Sequence, residues 1–363
     1  MDRANVTETP ALLLVAVSAR ALAQAARRAG FAPIAIDAFG DEDTRHACRA
    51  TYVVEGAMGG FAQAELASVV ARVVRDHAPV GLVYGSGFDD CPGRLATLNR
   101  WLPVLGCAPE ALARAKDPRA FAAACAAAGI AHPEIGFAAP PAGALLKRRG
   151  GSGGLHIRQA ARAPGLDEYW QMRVVGRAVS LLFAIQAHAL SPIAWSEQWT
   201  APSADAPFRY GGAAGPIDLT PPEDLLGRLA ALAQGLGLKG LASADFLDDG
   251  ERFWLLEINP RPGATLDLFD DDDDPLLARH LGAVAAPVKP RSPRAAEIVY
   301  AERDAIAPED WPEGAADLPA AGTPIAAGSP ICTVTAAGKV DAARSLAQAR
   351  ARRVRAGMKE SGR

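Results

Sequence analysis

The sequence predicts an α/β and α+β multidomain protein: a Rossmann-like N-terminal domain, then a hairpin-rich α+β region, then a small C-terminal β-rich module. Three observations carry this. Over residues 1–107 short apolar runs alternate with helical stretches, the pattern of parallel strands joined by crossover helices. Beyond about residue 130 the alternation gives way to strand-like segments flanking glycines, which read as antiparallel hairpins. The 363 residues suffice for two or three domains, and 35 glycines with 28 prolines imply many turns rather than long helices.

The elements follow in order. Leu12–Val17 is a continuous apolar run that reads as a buried strand, with a helix from Ser18 to Arg28 ending at Gly30. The run Ala11–Val17 superficially resembles a signal peptide. However, Asp2 and Glu8 against a single Arg3 deny it a positive n-region, and it is too short to span a bilayer. Pro33–Ile36, Tyr52–Val54 and Val80–Tyr84 are further strands, with a helix over Ala62–Asp76. The turn Gly85–Asp90 closes the last of these, where an open parallel sheet binds ligands, although a tight turn needs glycine in any case. Residues 109–130 are Ala-rich and helical, with Asp117 as N-cap and Pro118 at the first helical position. Ala144–Arg148 and Leu155–Ala160 flank one Gly-rich turn, and Tyr169–Val175 and Ala178–Gln186 flank Gly176. A helix over Glu223–Gln234 precedes the strands Leu241–Leu247 and Arg252–Asn259. The tail holds a Pro/Gly-rich strand section, Pro319–Val334, and a basic helix, Asp341–Arg355. The acidic run Asp270–Asp274 reads as a solvated, mobile loop, because five adjacent carboxylates cannot all face one ion.

Composition excludes several classes. With 38 basic and 41 acidic residues and half the chain apolar, the protein is neither disordered nor a nucleic-acid binder by bulk charge. Cys48, Cys91, Cys107, Cys125 and Cys332 lack zinc or redox spacing and read as buried thiols of a reducing compartment, so a cytoplasmic protein is expected. No membrane partner is expected.

Two constellations carry chemistry. Lys147–Gly154 places four glycines, Gly150, Gly151, Gly153 and Gly154, around Ser152 between two strands. Such a loop is either a flexible hairpin tip or a nest of backbone N–H groups for an anion, with Lys147 countering its charge. It is not a Walker A loop, since no GK[ST] follows. The second is Glu257–Ile258–Asn259–Pro260–Arg261 at a strand end. Glu257 and Asn259, two apart, project from one face. A carboxylate and an amide oxygen suit Mg²⁺, and Arg261 just beyond suits phosphate; a strand-end salt-bridge cluster fits the same residues. Asp245 joins them only in the right register: a two-residue turn Asp249–Gly250 puts it on the opposite face, whereas a five-residue loop centred on Glu251 puts it across from Glu257. The second is expected.

Together, a Rossmann-like domain, a lysine before a helix, a lysine strand with a Gly-rich hairpin and a strand ending in Glu-x-Asn-Pro-Arg resemble the ATP-grasp superfamily, in its carboxylate–amine ligase and biotin-carboxylase-related branch, over about residues 1–290. The resemblance implies a pre-ATP-grasp domain at 1–107, a small subdomain with the Gly-rich lid at 108–165, a large subdomain with the metal site at 166–290 and a C-terminal module at 291–363. It implies ATP and two Mg²⁺ ions as cofactors. Lys116 and Lys147 match the phosphate lysines, residues 150–154 the mobile phosphate cover, and Gln171, Met172, Arg173 and Val174 the hinge that reads adenine. The hinge departs from the family in lacking its usual acidic residue at 171 or 172. Asp245, Glu257 and Asn259 match the metal ligands, and Arg261, with Lys147, the catalytic cations. The implied activity joins a small carboxylate to an amine through an acyl phosphate, in a protein that can form a homodimer. Members joining glutamate or another amino acid to a cofactor precursor are nearest in character, and the acceptor is expected near Gly263–Asp267 and Gly85–Asp90. Carboxylation through carboxyphosphate, and nucleotide binding without catalysis, are the alternatives. A dinucleotide oxidoreductase ranks last, since Ser18–Ala19–Arg20 stands where GxGxxG belongs.

Overall fold

In the computed structural model, which describes residues 9–54, 60–284 and 286–360, Ala11–Val15 is a fully buried strand. Its successive side chains serve two cores: Ala11, Leu13 and Val15 point into one, Leu12 and Leu14 into another. That two-sided burial is why the run is continuously apolar rather than alternating. The strand is central in a four-stranded parallel sheet, ordered Ala50–Val53, Ala32–Asp37, Ala11–Val15, Leu82–Tyr84. The expected Rossmann-like layer is therefore present; the charged residues Asp2, Arg3 and Glu8 lie outside the described residues.

The helical stretch 109–130 is two helices, Pro109–Lys116 and Pro118–Ala127, broken at Asp117. The Asp117 carboxylate caps the second by accepting from the Ala120 amide at 2.8 Å. The break sets Lys116 at the end of the first helix.

A small antiparallel sheet follows, ordered Ile135–Gly136, Glu168–Gln171, Leu145–Arg148, Arg158–Gln159. Here one expectation fails: residues 169–175 and 178–186 are not a hairpin. Glu168–Gln171 closes the small sheet, and Arg177–Gln186 belongs to a different, eight-stranded sheet, where it pairs with Ala189–Thr200. The real turn, Ala187–His188, has φ of 46° and 68° at its two residues. Such a turn ordinarily uses Asn-Gly or Gly-Gly, and Ala-His gives no such signal. Pro192 inside the second strand, beside a register shift, hid that strand as well.

The eight-stranded sheet runs Phe253–Asn259, Gly240–Asp248, Arg177–Gln186, Ala189–Thr200, Tyr210–Gly215, Arg294–Tyr300, Pro330–Ala337, Ala315–Ala316. Helix Leu225–Leu236 buries Leu225, Leu229, Leu232 and Leu236 in the core it shares with this sheet, and Gly237 ends it with φ 73°. Strands of the C-terminal stretch extend the same sheet, Arg294–Tyr300 pairing with Tyr210–Gly215, and helix Val340–Gly357 contributes Ala343 and Ala347 to a core beside them. Among the described residues no helix is long and apolar enough to cross a membrane.

The acidic run is a second correction. Asp270 and Asp274 are each only 3% exposed. Asp270 accepts from Arg28 and from the Leu276 amide; Asp274 accepts from Arg279 and Arg291, each at 2.6 Å. Arg28, Arg279 and Arg291 thus pin the two ends of the run, while Asp272 and Asp273 between them stay exposed, so the run is anchored at both ends rather than a free loop.

Candidate active site

Strands Gly240–Asp248 and Phe253–Asn259 bring Asp245 directly opposite Glu257 and Ser243 opposite Asn259. Asp245 and Glu257 therefore share one face, with Asn259 two residues further along. The means differ from expectation. The connection is four residues, 249–252, since Asp248 pairs with Phe253; a bulge then leaves Leu256 unpaired and shifts the register by one.

The three side chains form a hydrogen-bonded group. Asn259 Nδ2 donates to Asp245 Oδ2 at 3.0 Å and to Glu257 Oε1 at 3.4 Å. Ser180 and Gln198, on neighbouring strands, donate to Asp245 Oδ1 at 2.6 and 3.4 Å. Burial, with Glu257 beside it, raises the affinity of the Asp245 carboxyl for its proton. Glu257 is only half-buried; its partial desolvation opposes ionisation, but Lys116 and Lys147 outweigh that and hold it ionised to lower pH.

Lys116 reaches this group rather than open space. Its Nζ donates to Asn259 Oδ1 at 2.8 Å and Glu257 Oε2 at 3.3 Å and lies 3.4 Å from Asp89 Oδ1. An ammonium thus already occupies the carboxylate and amide oxygens, which shows that this donor set accepts a cation. Asp89, from the Gly85–Asp90 turn, also accepts from Arg261 Nε at 3.2 Å. Burial disfavours the Asp89 carboxylate, yet Arg261 and Lys116 more than offset this and hold it below the usual carboxylate range. Sequence reasoning singled out that turn without seeing that Asp89 ties the two cations together.

The Lys147 side chain is buried and, among the described residues, makes no hydrogen bond or ion pair; burial lowers its proton affinity, partly countered by Glu257. A buried ammonium without a partner is costly and marks a place for an anion. His156, which the sequence did not flag, lines the same space and is pushed down to about 4 by burial. Its ring lies where a Cβ on Gly151 would fall.

The Gly-rich segment is not a free hairpin tip. Leu145–Leu146 pair with Arg158–Gln159, leaving a loop from 149 to 157 that is wedged between two other segments. At Gly150 (φ 62°) a Cβ would strike the Asp89 carbonyl, and at Gly154 (φ 70°) the Phe208 carbonyl. Close backbone approach therefore requires glycine at both. The amides of Ser152, Gly153 and Gly154 donate to no group among the described residues.

Gln171, Met172, Arg173 and Val174 link the small sheet to the large one and line the cavity. The Met172 amide is committed to Glu134 O at 2.8 Å, while the main chains of Arg173 and Val174 make no hydrogen bond among the described residues. All fifteen expected site residues, from Lys116 to Arg261, wall or reach one cavity of about 1330 Å³. In the expected acceptor region, Asp267 is instead tied to Arg20.

Residues 117–265 match the family described as ATP-grasp domain. No curated protein matches the chain by sequence. In three dimensions it is similar to the biotin carboxylase domain of Hydrogenobacter thermophilus 2-oxoglutarate carboxylase, solved with MgADP, ADP and bicarbonate (TM-score 0.71, 13% identity, 97% of this chain and 90% of that one). It is similar also to N5-carboxyaminoimidazole ribonucleotide synthetase from Thermus thermophilus (TM-score 0.67, 17% identity, 94% and 98%). L-amino acid ligase from Bacillus licheniformis is another such structure (TM-score 0.68, 10% identity, 97% and 99%). At these identities the likeness is one of fold.

Proposed function

We propose that this chain, whose residues 117–265 are an ATP-grasp domain, is an ATP-dependent ligase that activates a substrate carboxylate as an acyl phosphate and joins it to an amine. One observation carries the reading: Asp245, Glu257 and Asn259 gather on one face beside Lys116, with the unpartnered Lys147 ammonium in the same cavity. Two carboxylates and an amide oxygen are the hard donors that Mg²⁺ takes when it accompanies nucleotide phosphates. Asp245, Glu257 and Asn259 would hold the metal, which when bound would supply positive charge to offset that of the nucleotide phosphates.

The chain's own groups supply the rest. Lys147 neutralises phosphate charge, and the free amides of Ser152, Gly153 and Gly154 cover it. The uncommitted main chain of Arg173 and Val174 meets the adenine edge, and Arg261 presents its Nη2 edge to the transferred group. A substrate carboxylate oxygen attacks the γ-phosphorus, the bond to the β–γ bridging oxygen breaks, and ADP leaves. The neutral amine nitrogen then attacks the acyl carbon, the acyl C–O bond breaks with release of phosphate, and the nitrogen loses its proton to solvent. Positioning and charge neutralisation, rather than covalent catalysis by a side chain, supply the rate.

The test is ADP release by the full chain with MgATP across a panel of carboxylic acids and amines. Release that needs both supports ligation. Release stimulated by bicarbonate without any amine would favour carboxylation, the reaction class suggested by the bicarbonate-bound neighbour. Tight MgADP binding with no release under any condition would leave a nucleotide-binding protein without catalysis.

A further inference from the structure

One wall of the cavity carries a cluster that the scheme above does not use. Arg20, only 3% exposed, lies among four aspartates. Its guanidinium donates to Asp317 at 3.0 Å through both Nε and Nη2, and to Asp267 at 2.8 Å through Nη2. The Asp43 carboxylate is taken up by the amides of Asp317 and Leu318, at 2.8 and 3.0 Å. Arg20's hydrogen-bonding capacity is thereby spent, while Asp267 and Asp317, which also line the cavity, keep acceptor lone pairs to spare.

Asp41 differs from these three. It is 5% exposed, lines the cavity, and its carboxyl group accepts no hydrogen bond among the described residues. It directly precedes helix Glu42–Ala47, where an aspartate ordinarily caps the first amides, yet its side chain makes no capping bond. Burial pushes its carboxyl up to about 8, with Asp317, Asp37 and Asp43 adding in the same direction. One cation against the carboxylates of Asp43, Asp267 and Asp317 leaves the wall net acidic, and the unpartnered Asp41 carboxyl faces the cavity, where a cationic ligand would favour its ionised form.

We propose that Asp41, with Asp317 and Asp267, forms a subsite for a positively charged nitrogen of the amine co-substrate. This rests on the ligase reading and narrows it: the amine carries a cationic group that the Arg20 cluster holds, while its carboxylate and phosphate partners bind elsewhere in the cavity. The opposite chemistry, an anionic group at this wall, is repelled by the same aspartates.

The probe is putrescine, with glutarate as its anionic counterpart, titrated into the full chain by calorimetry and thermal shift. Putrescine should bind and raise the melting midpoint, and glutarate should not. Asp41→Asn should weaken putrescine at least about tenfold, the scale of one lost charge-assisted contact, and Asp41→Glu should restore part of it. MgADP affinity should stay within about twofold in both variants, which also shows that they fold. Equal binding of putrescine by wild type and Asp41→Asn, or preference for glutarate, would overturn the proposal. So would binding of Mg²⁺ alone that Asp41→Asn abolishes, with no response to putrescine. The wild-type comparison of the two probes stands even where a variant does not fold. A wild-type chain that binds MgADP but not putrescine sinks this inference alone, whereas absence of MgADP binding sinks the ligase reading.

Discussion

Asp245 and Glu257 face each other across an antiparallel pair because a bulge at Leu256 shifts the register by one. Without it, the four-residue turn would set Asp245 opposite Leu256 and send Glu257 to the other face. The acidic pair is thus a product of a local irregularity, and Ser180, Gln198 and Asn259 then hold it in place.

Glu257→Gln keeps the volume and removes the charge facing Lys116 and Lys147. ADP release should fall by about 100-fold or more, on the scale of losing an electrostatic group from a phosphoryl-transfer site. Circular dichroism should remain that of the parent. Unchanged turnover would remove Glu257 from the chemistry.

Asp89→Asn tests the turn that ties the two cations. It leaves Lys116 and Arg261, both nearly buried, without the carboxylate between them. Breaking one side of a buried ion cluster costs about 3–5 kcal/mol, readable as a lower urea midpoint. MgATP should recover part of that loss by supplying anions to the same cations.

Gly150→Ala and Gly153→Ala separate packing from conformation. Both glycines have φ near 60°, but only Gly150 meets a backbone carbonyl. Gly153→Ala should cost about 1 kcal/mol, the strain of a left-handed alanine. Gly150→Ala should cost more and weaken nucleotide binding, because the loop must lift from Asp89. Equal effects would show that φ alone matters.

His280 gives a pH signature. It is buried, its Nδ1 accepting from the Leu241 amide at 3.0 Å and its Nε2 donating to Leu105 O at 2.9 Å, and burial pushes it down to about 4. The unfolded chain protonates this ring near its ordinary value of about 6.5. Between those limits the unfolded state binds more protons, so His280 costs stability as pH falls from about 6.5 to about 4, and nothing further below. The loss reaches about 2 kcal/mol near pH 5. His280→Gln should flatten that part of the stability–pH curve relative to wild type. Subtracting the two curves removes groups such as Asp37, which is raised to about 6 and acts in the opposite direction.

Much of this was legible in the chain itself. The continuous apolar run Leu12–Val15, the Lys147 loop and the strand ending Glu257–Asn259–Arg261 each carry a local signature: burial on both faces, glycines in excess of what a turn needs, and paired oxygen ligands at strand spacing. Tertiary structure decided the rest, because it depended on partners distant in sequence. Asp89 meets Lys116 and Arg261 across 27 and 172 residues, and Arg28 and Arg291, 242 and 17 residues from their partners, bury the two ends of the acidic run. Whether a charge is solvated, paired or left waiting, as Asp41 is, follows from which opposite charges the fold delivers to it. Sequence spacing fixes direction along one strand; the energy of a buried charge is set by everything that surrounds it.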